Sequence, residues 1–196
     1  MEKRRFILSK LDWSMEEKIR LRKFVREDTA ITWKWRNQQV VQDHFSGHPY
    51  DVTKEQEEDW FERSVRNNDS LQVFAIERLN DAKLVGLTFL KNINKINLQA
   101  EFAILIDEQS SGHGYGTQAC FKTLKFAFQE LYLHRVFLKV RTDNVPAIRL
   151  YETCGFIKEG ELRDDLFKKG EFRNMYIMGI LDSDFKMIAD TNFPEL

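Results

Sequence analysis

Three glycines at alternate positions, Gly112, Gly114 and Gly116, separate a strand-like segment from a helix-like segment. The segment before them, LQAEFAILI (98–106), reads as an apolar strand, and residues 117–131 after them have the apolar spacing of a helix. Glycines are poor helix formers, so three of them at the start of a helix indicate that something approaches the backbone closely. A loop between a strand end and a helix N-terminus offers unpaired N–H groups and the positive end of the helix dipole, an arrangement that suits phosphate.

The residues around the glycines exclude two common nucleotide-binding loops. A Walker A loop requires Lys after its last glycine, whereas Thr117 and Gln118 follow Gly116. The dinucleotide-binding fingerprint requires a glycine where Thr117 stands and an acidic residue at the end of the next strand, which here ends in Arg141. A tight strand-to-helix turn that binds no ligand stays open as the alternative at this point.

The segments before the loop predict a β-meander with two helical regions near its start. Asp28 or Thr29 can cap a first helix that ends near Asn37, and Thr53 with Gln56 forms a capping box for a second. Four segments predict strands: 19–24, 71–77, 83–90 and 98–106. A turn at Asn80–Asp81 follows the second strand, and a turn at NINKIN (92–97) follows the third.

After the loop, helices and strands alternate. RVFLKV (135–140) predicts a strand, and Pro146 to Thr153 a helix for which Gly155 suits the C-terminal cap. Two further strands surround the turn KKG (168–170). This order predicts an α/β fold with one central, mixed, twisted sheet of about seven strands and helices on both faces. We divide the chain into an N-terminal extension, a single domain and a C-terminal tail, at 1–18, 19–183 and 184–196.

The composition excludes several other classes of protein. The 196 residues are 42% hydrophobic and 31% charged with a net charge of −1, which is typical of a soluble domain and gives no global field for nucleic acid. No apolar run reaches the length of a membrane span, and the N-terminal apolar stretch is too short for a signal peptide. Cys120 and Cys154 form no metal-binding cluster. We therefore predict a cytoplasmic protein without a metal and without a nucleic-acid or membrane partner, and leave a homodimer open.

Two motifs together resemble those of the GNAT N-acetyltransferases. SSGHGYGT (110–117) resembles the R/Q-x-x-G-x-G/A loop of that family, and DNVPAIRLYETCGF (143–156) resembles its N-x-x-A-x-x-L-Y-x-x-x-G-F segment. The similarity extends from about Ile19 to Leu181 in the expected order, and implies the fold of a single GNAT domain. Ser111 departs from the motif, because the family usually has Arg or Gln at that position.

The resemblance implies acetyl-coenzyme A as the co-substrate and assigns residues to it. The backbone of Ile104, Leu105 and Ile106 is expected to pair with the pantetheine arm, which Asn144 also contacts. We expect His113 to contribute backbone only, with its side chain near solvent. The loop residues expected to receive the pyrophosphate are Gly112, His113, Gly114, Tyr115, Gly116 and Thr117, preceded by the Ser111 hydroxyl.

Acetyl transfer from a thioester to an amine requires a neutral nucleophile and a proton for the departing thiolate. The resemblance implies that Tyr151 supplies this proton; the alternative is a core aromatic on an amphipathic helix. Glu101 lies in an apolar strand, where a carboxylate must be solvated, paired or functional. It is a candidate for accepting the amine proton through water or for binding a cationic substrate, with an outward-facing surface glutamate as the alternative.

The acceptor is predicted to be an amine, either a small polyamine-like molecule, which we favour, or a peptide N-terminus. In this family the first two helices, their loop and the last hairpin usually form the acceptor pocket, and acids and aromatics there suit a cation. Ribosomal-protein or nucleotide-aminosugar acetylation, a non-catalytic coenzyme A-binding module and an interaction domain are the alternatives. The candidate pocket residues are Trp33, Trp35, Arg36, Asn37, Asp43, His44, Phe45, Tyr50, Asp51, Asp164, Asp165, Phe167 and Phe172.

Overall fold

The computed structural model describes residues 16–44 and 51–192, which form seven strands and six α-helices. The strands are β1 (Ile19–Lys23), β2 (Gln72–Arg78), β3 (Leu84–Asn94), β4 (Gln99–Ile106), β5 (Arg135–Arg141), β6 (Ile157–Lys168) and β7 (Glu171–Leu181). The helices are α1 (Thr29–Arg36), α2 (Gln39–His44), α3 (Lys54–Trp60), α4 (Tyr115–Lys125), α5 (Val145–Thr153) and α6 (Asp182–Asn192). The wider turns Phe61–Val65 and Phe126–Glu130 extend α3 and α4.

All seven strands belong to one mixed sheet in the order β1-β2-β3-β4-β5-β7-β6. Every neighbouring pair is antiparallel except β4 and β5, which run parallel. That parallel pairing is short, because it joins only Gln99–Glu101 to Arg135–Phe137. The second half of β4 therefore separates from β5 and leaves an open edge in the middle of the sheet. The predicted α/β fold with a seven-stranded mixed sheet is confirmed.

Helices cover both faces of the sheet, as predicted. On one face α4, α5 and α6 pack over the larger core, which includes Phe102 of β4 and Leu124 of α4. On the other face α1, α2 and α3 enclose a second core around Phe24 and Trp35. Phe102 and Leu105 belong to opposite cores, since successive side chains of a strand point to opposite faces. Both faces of β4 are thus buried by helices.

Local signals in the sequence define several helix ends. The Thr53 hydroxyl accepts a hydrogen bond from the Gln56 N–H (3.2 Å), and Gln56 Oε1 accepts one from the Thr53 N–H (2.8 Å), so the predicted capping box is confirmed. Gly155 adopts a φ of 95° after α5, and a Cβ there would lie 2.2 Å from Ile188 Cδ1. Only glycine satisfies both the left-handed backbone and that close approach, so this predicted cap is also confirmed.

Several predicted boundaries differ from the structure, and two of the differences have a clear local cause. The turn predicted at 92–97 is wrong in its start, because β3 continues to Asn94; the Asn94 side chain then accepts hydrogen bonds from the N–H groups of Ile96 (3.0 Å) and Asn97 (2.8 Å). The helix predicted from 117 begins earlier, at Tyr115, because Gly114 serves as its N-cap. Residues 184–192 of the predicted tail lie in α6, where Phe185 and Ile188 are buried.

Candidate active site

The glycine loop has two different requirements for glycine. Gly112 and Gly114 adopt φ values of 80° and 81°, in the left-handed region that other residues enter only at a cost. Gly116 is needed for space instead: a Cβ there would lie 2.8 Å from Leu150 Cδ1 of α5 and 3.6 Å from Ile106 Cγ1 of β4. The first turn of α4 is therefore pressed between β4 and α5. Its N–H groups, which have no intrahelical partners, lie at the end of the open β4 edge.

A short turn anchors the loop to the end of β4. Asp107 is buried, its N–H donates to the Val85 carbonyl (2.9 Å), and its carboxylate accepts from the Ser110 hydroxyl (3.1 Å). Gln38, which lies between α1 and α2, donates from Nε2 to Oδ1 of the same carboxylate at 3.4 Å. The loop conformation is thus fixed by β3, β4 and the α1–α2 junction together. The Ser111 hydroxyl lies 3.5 Å from the Asp107 carbonyl oxygen.

Tyr151 lies on α5 with its ring buried against the open half of β4. The ring packs edge-to-face on Phe102 (centroids 6.2 Å apart, 89° between planes) and on Phe156 (5.8 Å, 64°). Burial raises the pKa of the phenol above its usual value, and the neighbouring thiols of Cys120 and Cys154 raise it further. The hydroxyl is therefore protonated at neutral pH. Among the described residues no side chain forms a hydrogen bond with it, which leaves it available to an external group.

Asn144 and the end of α5 hold Tyr151 in place. The Asn144 side chain accepts a hydrogen bond from the Ala147 N–H (3.3 Å) as N-cap of α5. At the other end, the Gly155 N–H donates to the Glu152 carbonyl and the Phe156 N–H to the Tyr151 carbonyl, both at 3.0 Å, which is the Schellman pattern. Asn144 thus caps α5, and both ends of the helix that carries Tyr151 are fixed.

Glu101 lies at the point where β4 leaves β5, since it is the last β4 residue paired with that strand. Its carboxylate is half-buried and ion-paired with Lys91 Nζ at 2.7 Å, and it also accepts from Asn92 Nδ2 at 3.2 Å. By strand alternation its side chain lies on the face covered by α1–α3, opposite the face that carries Phe102 and Tyr151. Glu101 and Tyr151 thus lie on opposite sides of the sheet opening.

The candidate acceptor residues have different surroundings. Trp35 is buried in the α1–α3 core, so it has a packing role. The Asn37 side chain bonds the backbone of Val52 twice, at 2.8 and 2.9 Å, and holds the loop before α3. Phe167 and Phe172 pack together with centroids 4.9 Å apart and are mostly exposed on the β6–β7 hairpin. Phe45, Tyr50 and the side chains of Asp43 and His44 lie outside the described residues.

Glu57 is a buried charged residue that was not among the residues predicted from the sequence to be functional. Its side chain is fully buried, accepts a hydrogen bond from the Thr32 hydroxyl (2.8 Å) and lies 3.2 Å from Arg36 Nε. The Arg36 guanidinium also stacks over Trp60, 4.5 Å from the ring centroid. One signal was available, because Glu57 precedes Trp60 and Phe61 by three and four residues and so shares their buried helix face.

Two features are absent from the described residues. In 16–44 and 51–192 there is no helix long and apolar enough to cross a membrane. Within the same ranges no three His, Cys, Asp or Glu side chains form a group suited to a metal ion.

Comparison with known proteins gives consistent similarities. Residues 18–157 match the acetyltransferase (GNAT) domain family. Over 173 residues the chain is 31% identical to the spermidine N(1)-acetyltransferase of Vibrio cholerae, covering 87% of this chain and 97% of that protein. It is 32% identical over 108 residues to the putative ribosomal N-acetyltransferase YdaF of Bacillus subtilis, covering 55% of this chain and 59% of YdaF.

A solved structure extends this similarity to three dimensions. The crystal structure of spermidine N-acetyltransferase from Vibrio cholerae in complex with CoA and spermine superposes with a TM-score of 0.82 at 28% identity. The match covers 87% of this chain and 99% of that one.

Proposed function

This chain belongs to the GNAT family and is an acetyl-coenzyme A-dependent N-acetyltransferase; from that premise we propose that its acceptor is a polyamine and that Tyr151 is its general acid. The observation that carries the proposal is the opening between β4 and β5, with a buried, unpartnered phenol on one side and a carboxylate on the other. The spermidine acetyltransferases to which the chain is similar act on amines of this class.

The cofactor is proposed to lie along the open edge of β4. Backbone groups of Ile104, Leu105 and Ile106 have no β5 partner and are suited to the amides of the pantetheine arm. The pyrophosphate would bind the N–H groups of Gly112 to Thr117, where two left-handed glycines leave the backbone uncovered. Ile104 and Leu150 both lie beside Gly116, so the arm and the phosphates would follow one continuous surface.

In the reaction, the neutral amine attacks the thioester carbonyl carbon, and the resulting intermediate collapses with cleavage of the C–S bond. The departing sulfur takes a proton from Tyr151, the proton lost by the amine passes to water or to Glu101, and a proton from solvent then restores the Tyr151 phenol. Tyr151 can take this role because its hydroxyl is protonated at neutral pH and forms no hydrogen bond with a described side chain, although its raised pKa makes the free phenol a weaker proton donor. Amine and acid would act from opposite sides of the opening, so neither blocks the other.

A peptide N-terminus is the second candidate acceptor. Lys91 already neutralises the charge of Glu101, which reduces the attraction of this site for a polycation. One of the chain's relatives, YdaF, has a putative ribosomal N-acetyltransferase assignment, although the similarity covers only about half of each chain.

An amine panel tests the proposal. Release of free thiol from acetyl-coenzyme A would be followed with spermidine, spermine, an alanyl or seryl peptide and an amino-sugar nucleotide. We expect the highest kcat/KM with a polyamine. A preference for the peptide would establish the second candidate instead. Thermal stabilisation by acetyl-coenzyme A without turnover of any amine would identify a non-catalytic binding module and overturn the proposal.

A further inference from the structure

The pyrophosphate loop has no arginine or lysine. Ser111 occupies the position at which the resemblance leads one to expect Arg or Gln, and the segment 109–117 contains one residue able to carry positive charge, His113. The loop N–H groups and the helix dipole supply partial charges only. A diphosphate in this loop would therefore lack a full countercharge from the loop itself, unless His113 provides it.

The His113 ring has a fixed orientation although it is exposed to solvent. It stacks nearly parallel on the ring of Tyr115, with centroids 5.4 Å apart and 14° between the planes. Its Nδ1 lies 3.3 Å from the Ser110 carbonyl oxygen. Since a carbonyl oxygen only accepts hydrogen bonds, Nδ1 carries the proton. Nε2 is then the free nitrogen, and no described residue forms a hydrogen bond with it.

The support beneath His113 is rigid. Tyr115 is buried against Ile19, Ile76 and Val85, so its ring cannot turn without disturbing the sheet. The Tyr115 hydroxyl lies close enough to Arg78 to raise the pKa of its guanidinium, and Arg78 donates from Nε to Asp81 at 2.8 Å. The imidazole thus rests on an aromatic ring that is fixed from below by packing and at its tip by an ion pair.

We infer that the His113 imidazolium replaces the missing loop cation and donates from Nε2 to the diphosphate of the cofactor. This rests on the proposed cofactor site and adds a side chain to it. Protonation of the ring places N–H groups on both nitrogens, one for Ser110 and one for the phosphate. The nearest charged groups along its contacts are Arg78 and Asp81, which are linked to the ring through Tyr115, and Glu108 belongs to the preceding turn, Glu108–Ser110.

The consequence is a cofactor affinity that depends on pH. Histidine side chains change charge near neutrality, and a bound anion favours the charged form. Affinity is therefore highest at low pH and decreases as the pH rises and the imidazolium loses its proton. We expect the loss of this charge-assisted hydrogen bond to weaken binding about tenfold.

The test uses dephospho-coenzyme A, which keeps the diphosphate but lacks the 3′-phosphate, so that no ligand phosphate titrates near neutrality. Its dissociation constant would be measured by calorimetry between pH 5.5 and 8 for the wild type and three variants. We expect the wild type to lose affinity as pH rises, His113→Gln to bind weakly at all pH values, and His113→Arg to bind tightly at all of them. His134→Gln, at an exposed histidine before β5, should behave as the wild type.

Two outcomes would overturn the inference: a wild-type affinity that does not change with pH, or a His113→Gln variant that keeps the wild-type dependence. These outcomes are separate from failure of the proposed function. If the wild type binds no coenzyme A at any pH, the cofactor site itself is wrong. If the protein binds the cofactor and acetylates an amine while His113→Gln has no effect, only the role of the side chain is wrong.

Discussion

At the scale of single residues, Tyr151 combines two properties that a general acid needs. Burial against Phe102 and Phe156 keeps its hydroxyl protonated, and no described side chain forms a hydrogen bond with that hydroxyl. Among the described residues the fully buried side-chain oxygens without a hydrogen-bond partner are Oε1 of Gln38 and Oε2 of Glu57, so the unpaired Tyr151 oxygen is accessible from the opening, whereas a purely structural role would need the ring alone. The ring fills space in either role, so packing and chemistry can be separated by removing the oxygen alone.

Tyr151→Phe should lower kcat by about a hundredfold or more while leaving cofactor affinity unchanged, because it removes the proton donor and keeps the ring. Steady-state thiol release and titration with acetyl-coenzyme A measure the two quantities. Tyr132→Phe, at a largely exposed tyrosine after α4, is the control and should have wild-type kcat. If Tyr151→Phe retains more than half of the wild-type kcat, another group or water is the acid.

Gly114→Glu should weaken acetyl-coenzyme A binding by about tenfold or more, because it introduces a negative charge at the N-cap of α4. The substitution also strains the backbone, since Gly114 has a φ of 81°. Gly170→Glu separates the two effects: Gly170 has a φ of 80° in the β6–β7 turn, and a Cβ added there would point into open space. Equal affinity loss in both variants, measured by calorimetry, would show that the loop is not the phosphate site.

At the scale of secondary structure, the edge strand β1 is held to β2 by charges as well as by its backbone. Buried Glu77 of β2 accepts hydrogen bonds from Nε of Arg20 and of Arg22, both at 2.7 Å. The Arg22 guanidinium is the main reason that the pKa of the Glu77 carboxyl is below its usual value, and its effect exceeds the opposing effect of burial. A lowered pKa in the folded state means that the carboxylate stabilises the fold above the pKa of the unfolded chain.

Glu77→Gln should therefore lower the free energy of unfolding at pH 7. The wild type should lose this stabilisation as the pH falls below about 4.3 and through the folded-state pKa, while the variant should lose less over that interval. Urea titrations at several pH values measure how the free energy of unfolding of the wild type and of the variant depends on pH. Glu130→Gln, at an exposed glutamate after α4, serves as control. A Glu77→Gln variant with the wild-type pH dependence would contradict the assigned role of the ion pair.

Elements that depend on neighbours in sequence were predicted well, and those that depend on distant contacts were not. The capping box at Thr53 and the cap at Gly155 follow from residues within one or two turns, so the sequence was sufficient for both. The end of β3 depends on cross-strand pairing with β4, and the burial of Glu57 depends on contacts with α1. Pairing of Glu101 with Lys91 likewise joins two strands, and no local pattern specifies it.

At the scale of the whole molecule, the sheet consists of two parts that share little backbone bonding. β1–β4 and β5–β7 are joined by the parallel pairing of Gln99–Glu101 with Arg135–Phe137. Beyond it the connection is made by side chains, with Leu150 of α5 against the first turn of α4 and Phe102 of β4 against Tyr151. A cofactor that bonds the open edge of β4 and touches α5 would join the two parts, so its binding should be detectable in the backbone of β4.

Hydrogen exchange of the backbone amides tests this expectation. Saturating acetyl-coenzyme A, at about a hundred times its dissociation constant, should stabilise the folded state by about 2.7 kcal/mol and slow all amides that exchange through global unfolding. Amides of Phe102–Ile106 that do not bond β3 should be slowed further, because they exchange from the folded state until the pantetheine arm covers them. β2, which is paired on both sides, is the internal reference and should show the global effect only. If β4 gains no more protection than β2, the arm does not bind the open edge, and the opening between β4 and β5 has another purpose.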